Sequence, residues 1–113
     1  MEEFNPKDKI KQFKVENKKE ENLKFPSPHY LKRYALLVLN LMEKMQSFED
    51  TMLNSIYFIK HNLKNFIADI DGNLNHDYQK RNIRYLFKWR TEKSKLDSIS
   101  SEFLVAFENY KNK

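Results

Sequence analysis

The sequence predicts an all-α protein, either an antiparallel hairpin of long helices or a small three- or four-helix bundle, preceded by a charged N-terminal arm. Three observations predict it. Among 113 residues there are three Val and two Thr, few for a sheet, whose pleated surfaces are filled by β-branched side chains. Apolar residues recur at intervals of three and four along two long stretches, the period of one helix face. The single glycine, Gly72, falls between those stretches, where a chain reversal is wanted. The length suits one domain.

Residues 1–27 read as a charged, flexible arm. Seven lysines alternate with six acids for a net +1, and the apolar residues are scattered: Phe4, Ile10, Phe13, Val15, Leu23 and Phe25. Such a segment buries too little surface to offset its ordering entropy by itself. A marginal helix over about Pro6 to Glu21 is the structured alternative, docked or free. Phe25-Pro26-Ser27-Pro28 marks the boundary, because a proline disfavours helix in the residue before it.

The helical domain then spans 28–113. Ser27 followed by Pro28 is a helix start, a hydroxyl cap and then a ring whose missing N–H costs nothing in the first turn. The first stretch, about 28–70, carries its apolar stripe on Leu31, Tyr34, Val38, Leu41, Met45, Phe48, Met52, Ile56, Ile59, Leu63, Phe66 and Ile70. Ser47 to Asp50 has the spacing of a capping box, so a break near 46–47 is one expectation. Asp71-Gly72-Asn73 is expected to end the stretch, with Gly72 in a left-handed terminal conformation. The second stretch, about 75–111, places Tyr78, Tyr85, Leu86, Trp89, Leu96, Ile99, Phe103, Leu104, Phe107 and Tyr110 on its core side. A break near 98, at the Ser98–Ser101 cluster, is one alternative and an unbroken helix the other. Tyr34 to Met42 is apolar nearly all round, so it needs cover from a bundle, the arm or a second copy of the chain. A homodimer is one arrangement that supplies it.

The charge has a location. Net charge is +5, distributed as +1 over 1–27, 0 over 28–75, +5 over 76–95 and −1 over 96–113. On a helical wheel Lys80, Arg81, Arg84, Lys88 and Lys95 fall within about 100° of arc. Like charges at i, i+4 repel by a few tenths of a kcal/mol per pair. The plain reading is a solvated lysine-rich helix, partly neutralised by Asp77 and Glu92. The functional reading is a polyanionic partner, either an acidic protein patch or a nucleic-acid backbone. Tyr85 and Trp89 point with the core, whereas Phe87 and Ile83 lie on a third side, available to another helix or to a partner.

Several chemistries are poorly served. One glycine leaves no room for a dinucleotide fingerprint, a phosphate-cradling loop or a nucleophile elbow. Zero cysteines exclude disulfides and thiolate metal sites and suit a reducing, cytoplasmic setting. His29, His61 and His76 have no helix-turn spacing for a metal pair. Asp69 to Asp77 resembles the front half of a calcium loop, but Leu74 stands where the turn wants glycine and Lys80 where the bidentate acid belongs. No charge-free apolar hydrophobic region opens the chain, and no run approaches the roughly 20 residues of a membrane span.

The expectation is therefore a non-enzymatic protein with no cofactor and no metal, binding another macromolecule. A protein partner leads, in the manner of an adaptor, immunity protein or inhibitor, and a nucleic-acid accessory protein is the alternative. The expected partner-binding residues are Lys80, Arg81, Arg84, Phe87, Lys88 and Lys95.

Overall fold

The computed structural model describes residues 5–44, 50–74 and 83–111, and side chains throughout except at 50–56, 73–74 and 110–111. Five helices follow one another there: α1 (Pro6–Glu16), α2 (Lys18–Glu21), α3 (Pro28–Lys44), α4 (Asp50–Leu74) and α5 (Ile83–Lys111). No strand occurs among the described residues. The fold is a small all-α bundle about 50 × 26 × 19 Å in extent.

Local chemistry sets the starts. The Asn5 side chain accepts a hydrogen bond from the Asp8 amide, with Pro6 in the first turn of α1. Asn17 closes α1 by donating from its side chain to the Phe13 carbonyl at 2.8 Å. Ser27 caps α3 as expected, its hydroxyl accepting from the His29 amide at 3.1 Å. The first long stretch is two helices lying antiparallel. Glu43 on α3 meets Lys60 on α4 at 3.9 Å, and eleven residues earlier on α3 Lys32 meets Asp71, eleven residues further along α4, at 2.7 Å. Residues 46–47, the expected break, fall between the two helices and outside the described residues.

One expectation needs correction and one open alternative is settled. Gly72 is not a left-handed terminus: α4 continues through it to Leu74, and no described residue has a positive φ. Nor does α5 break near Ser98; it is one helix of 29 residues. Ser100 is buried on its inner side, so packing of that face overrides the modest helix preference of serine.

Tyr30, Leu31, Tyr34, Ala35, Val38 and Met42 of α3, Leu63 and Ile70 of α4, and Leu96 and Phe103 of α5 are fully enclosed. Of the residues placed on the two stripes, Met45, Phe48, Met52, Ile56, Tyr78 and Tyr110 lie outside the described side chains. The N-terminal segment expected as an arm is helical and packed on this body. Pro6 and Ile10 are buried, and Phe13 stacks on Tyr30 with ring centroids 5.6 Å apart and interplanar angle 10°. The all-round apolar turn of α3 is thus covered on one side by α1 and on others by α4 and α5.

Leu31→Ala should lower unfolding stability by about 2–5 kcal/mol, whereas Leu36→Ala, on the outer side of α3, should change it by under about 1 kcal/mol; urea denaturation reads both. Gly72→Ala should raise stability by about 0.4–1 kcal/mol, because a Cβ there meets nothing within 4 Å and the backbone is helical. A destabilised Gly72→Ala protein would instead place that residue in the left-handed conformation.

Candidate functional site

The stripe expected on the second long helix is only partly brought together. Lys80 and Arg81 lie outside the described residues, and Arg84 is exposed near the start of α5. Lys88 donates to Asp69 of α4, its ammonium also 3.3 Å from the second carboxylate oxygen, and lies over the Trp89 ring at 5.1 Å. Lys95 pairs with Glu92 at 3.4 Å. Phe87 is 46% exposed and makes a T-shaped contact with Phe25 at a centroid distance of 5.3 Å. Lys88 and Lys95 rim an open groove of about 650 Å³ between α4 and α5, with Phe66 and Ile99 at its base and Asn62, Asn65 and Ser98 along its sides. Two carboxylates, Asp69 and Glu92, share that rim, so this groove is of mixed charge.

A polar ring that the sequence reading missed joins α1, α2, α3 and α5. Lys14 lies 3.5 Å from Glu21 and 3.2 Å from Asp97. Lys93 lies 3.0 Å from Glu21 and 3.1 Å from Asp97. Each ammonium therefore bridges both carboxylates. Each carboxylate also takes a phenol: the Tyr34 hydroxyl donates to Asp97 at 2.9 Å, and the Tyr30 hydroxyl donates to Glu21. Ser100 is a buried polar neighbour of Tyr34 whose hydroxyl makes no hydrogen bond among the described residues.

The electrostatics follow from that geometry. Burial alone would raise the Asp97 pKa, but Lys93, Lys14 and the Tyr34 hydroxyl hold it below the ordinary carboxylate value. Burial works against the Lys14 ammonium, yet the Tyr34 oxygen, Asp97 and Glu21 outweigh it and lift the pKa above the usual lysine range. Burial, then the bond to Glu21, raises the Tyr30 phenol. Tyr34 is pushed up to about 12, chiefly by burial and with Asp97 adding, against the opposing pull of Ser100 and Lys14. A cavity of about 250 Å³ opens beside the ring, bordered by Lys24, Arg90 and Ser94 as well as Lys93, Glu21 and Asp97. The ring members are engaged with one another, which suits holding helices together.

A third concavity, an open groove of about 560 Å³, runs along α1 and past the start of α2 to Asn22, with Leu104 of α5 against it. Ile10 and Leu104 form its base, Val15 stands at its edge, and Lys7, Lys11, Lys14 and Lys18 line it. No carboxylate lines it among the described residues. On the α1 wheel Lys7, Lys11 and Lys14 fall within about 60° of arc, with Asp8 and Glu16 turned to other sides. The sequence carries this signal in the i, i+4, i+7 spacing of those lysines, which the near-zero net charge of the segment conceals.

The remaining singled-out features are structural in their surroundings. Asp69 and Asp71, the first acids of the calcium-loop-like run, lie within α4 and pair with Lys88 and Lys32. His61 is exposed and lies 3.3 Å from the Asn65 side chain. No cluster of three or more metal-ligating side chains occurs among the described residues, and none of their helices is long and apolar enough to cross a membrane. No family model matches the chain, and neither the curated proteins nor the solved structures contain a significant match to it.

The ring makes stability depend on pH at both ends. The folded Asp97 carboxyl has a lower pKa than the unfolded one, near 3.8, so its contribution is complete above about pH 5 and is lost as pH falls below 4. Asp97→Asn should cost about 1–2 kcal/mol at pH 7, tempered by the partial exposure of the group. The gap to the parent protein should close as pH falls through the lowered folded pKa of Asp97. Tyr34 has a raised folded pKa, so its contribution is full below pH 10 and declines as pH rises toward about 12. Tyr34→Phe should cost about 1–2 kcal/mol at neutral pH and flatten the alkaline loss; urea titrations followed by circular dichroism across pH 3–11 test both.

Proposed function

We propose that this chain is a non-enzymatic helical module that binds another protein, in the manner of an adaptor or inhibitor. The observation that carries this reading is the α1–α5 groove: an apolar base open to solvent, rimmed by lysines, formed where the N-terminal helix docks on the bundle. An open groove between two helices has the form that accepts a further helix. Small-molecule sites, by contrast, are enclosed clefts that bury most of their ligand. The polar ring supports the same reading, since its acids, lysines and phenols bond one another and hold the groove walls in register. Exposed apolar side chains elsewhere, such as Tyr57 and Phe58 in edge contact on α4, add surface of the kind that associates with protein.

The nucleic-acid alternative rests on the stripe of α5, where Lys88 and Lys95 each stand at a carboxylate. Those acids would face an incoming phosphate backbone and weaken it, so the protein partner is favoured.

Pull-down with the full chain from its native host, with and without nuclease, tests the reading. A protein partner should be captured in both arms and survive raised salt. Retention that vanishes with nuclease would overturn it. So would binding to DNA whose affinity falls with salt at a log–log slope of about −4, as contact by about five cations requires.

A further inference from the structure

We propose that the α1–α5 groove is a docking site for an acidic amphipathic helix, which lies along α1 and onto the start of α2 with a carboxylate edge against Lys7, Lys11 and Lys18 and an apolar edge on Ile10, Val15 and Leu104. This rests on the protein-binding reading above and names the partner's chemistry and the residues that meet it.

Charge complementarity selects the occupant. Of the three concavities described, two include carboxylates in their linings, Asp69 and Glu92 in one and Glu21 and Asp97 in the other. The α1–α5 groove has lysines alone among its charged lining residues. Lys14 is engaged in the ring, but Lys7, Lys11 and Lys18 are exposed and make no ion pair among the described residues. Like charges at this spacing repel, and a partner bearing carboxylates at the same spacing would relieve that repulsion.

Shape selects the same occupant. Lys7, Lys11 and Lys14 cover about 10 Å of α1 at 1.5 Å per residue, two turns of helix, and Lys18 follows past Asn17 at the start of α2. A helix with acids at i, i+4 and i+7 meets the α1 row in step, a further acid at i+11 extends toward Lys18, and its neighbouring face supplies apolar residues for the base. Val15 is 65% exposed, a large apolar side chain at the groove's edge and in reach of such a face. Among the described residues Lys7, Lys11 and Lys18 lack the counter-charges that Lys88 and Lys95 of α5 carry.

The probe is a fluorescent synthetic helix of about four turns, with glutamates at i, i+4, i+7 and i+11 and leucines beside them. A second probe carries glutamine at each glutamate position. Anisotropy with the full chain should show the acidic peptide binding and the glutamine peptide at least about tenfold weaker, because exposed ion pairs of a few-fold each multiply. The triple variant K7E/K11E/K18E should lose at least about tenfold for the acidic peptide. Val15→Asp should also weaken it, with circular dichroism unchanged for both because all four sites are on the surface. Equal binding of the glutamine peptide, or unchanged binding by the triple variant, would overturn the proposal. So would tighter binding to a short DNA duplex or to vesicles of mixed phosphatidylcholine and phosphatidylserine. The two levels separate cleanly. A host protein captured equally well by K7E/K11E/K18E removes this site and leaves the protein-binding reading standing. Loss of all protein capture under nuclease, with the peptide still binding, does the reverse.

Discussion

The closed ring of Lys14, Glu21, Lys93 and Asp97 is the constraint on which the arrangement of this molecule depends. Its two cations come from α1 and α5, and its acids from the end of α2 and from α5. Two phenols from α3 complete it. Partly buried charges are tolerable when every one is paired and the remaining lone pairs are bonded; removing one partner leaves the others uncompensated. In this chain that condition ties the N-terminal helices to the bundle in one register. Ile10 and Phe13 supply apolar contact but little positional information, since apolar packing tolerates sliding that a four-charge ring does not.

The ring also explains why α5 is unbroken. A helix must present Lys93 and Asp97 on one side for the ring to close, and that side continues the core line of Trp89, Leu96, Ser100 and Phe103. Serine has a modest intrinsic penalty in a helix, a few tenths of a kcal/mol, which tertiary contacts readily exceed. The cluster at Ser98–Ser101 looked like a weak point only because propensity was weighed without what Ser100 packs against. Gly72 teaches the converse. A glycine near a helix end signals a left-handed terminus on average, yet α4 absorbs it at a cost of up to about 1 kcal/mol, with Asp71 beside it held by Lys32.

Much of the fold was legible because periodicity reports burial directly. Leu31, Tyr34, Val38 and Leu41, then Ile59, Leu63, Phe66 and Ile70, occupy the stripe that their spacing implied, and each is buried. The Ser27–Pro28 start was equally clear, since capping is a local interaction. The docking of the first helix was not, because a segment of balanced charge and sparse apolar residues looks the same whether its ion pairs are made or left to water. Lys93 and Asp97 carried a faint trace, an opposite-charge i, i+4 pair adjoining the core line, but nothing local says that Lys14 and Glu21 will meet them.

The candidate site shows the same limit in its charge. Counting net charge by segment put the excess on 76–95, whereas neutralisation is settled in three dimensions: Asp69 reaches Lys88 from another helix. The N-terminal segment sums to nearly zero, yet α1 sorts its signs by face and leaves lysines as the charged residues of the groove lining. That wall is a groove only because α5 stands opposite, supplying Leu104. Lys14 belongs both to the wall and to the ring that fastens it, so the groove exists where the ring is closed. Binding surface and tertiary lock are thus one construction: the charges that position α1 leave its neighbouring lysines facing outward.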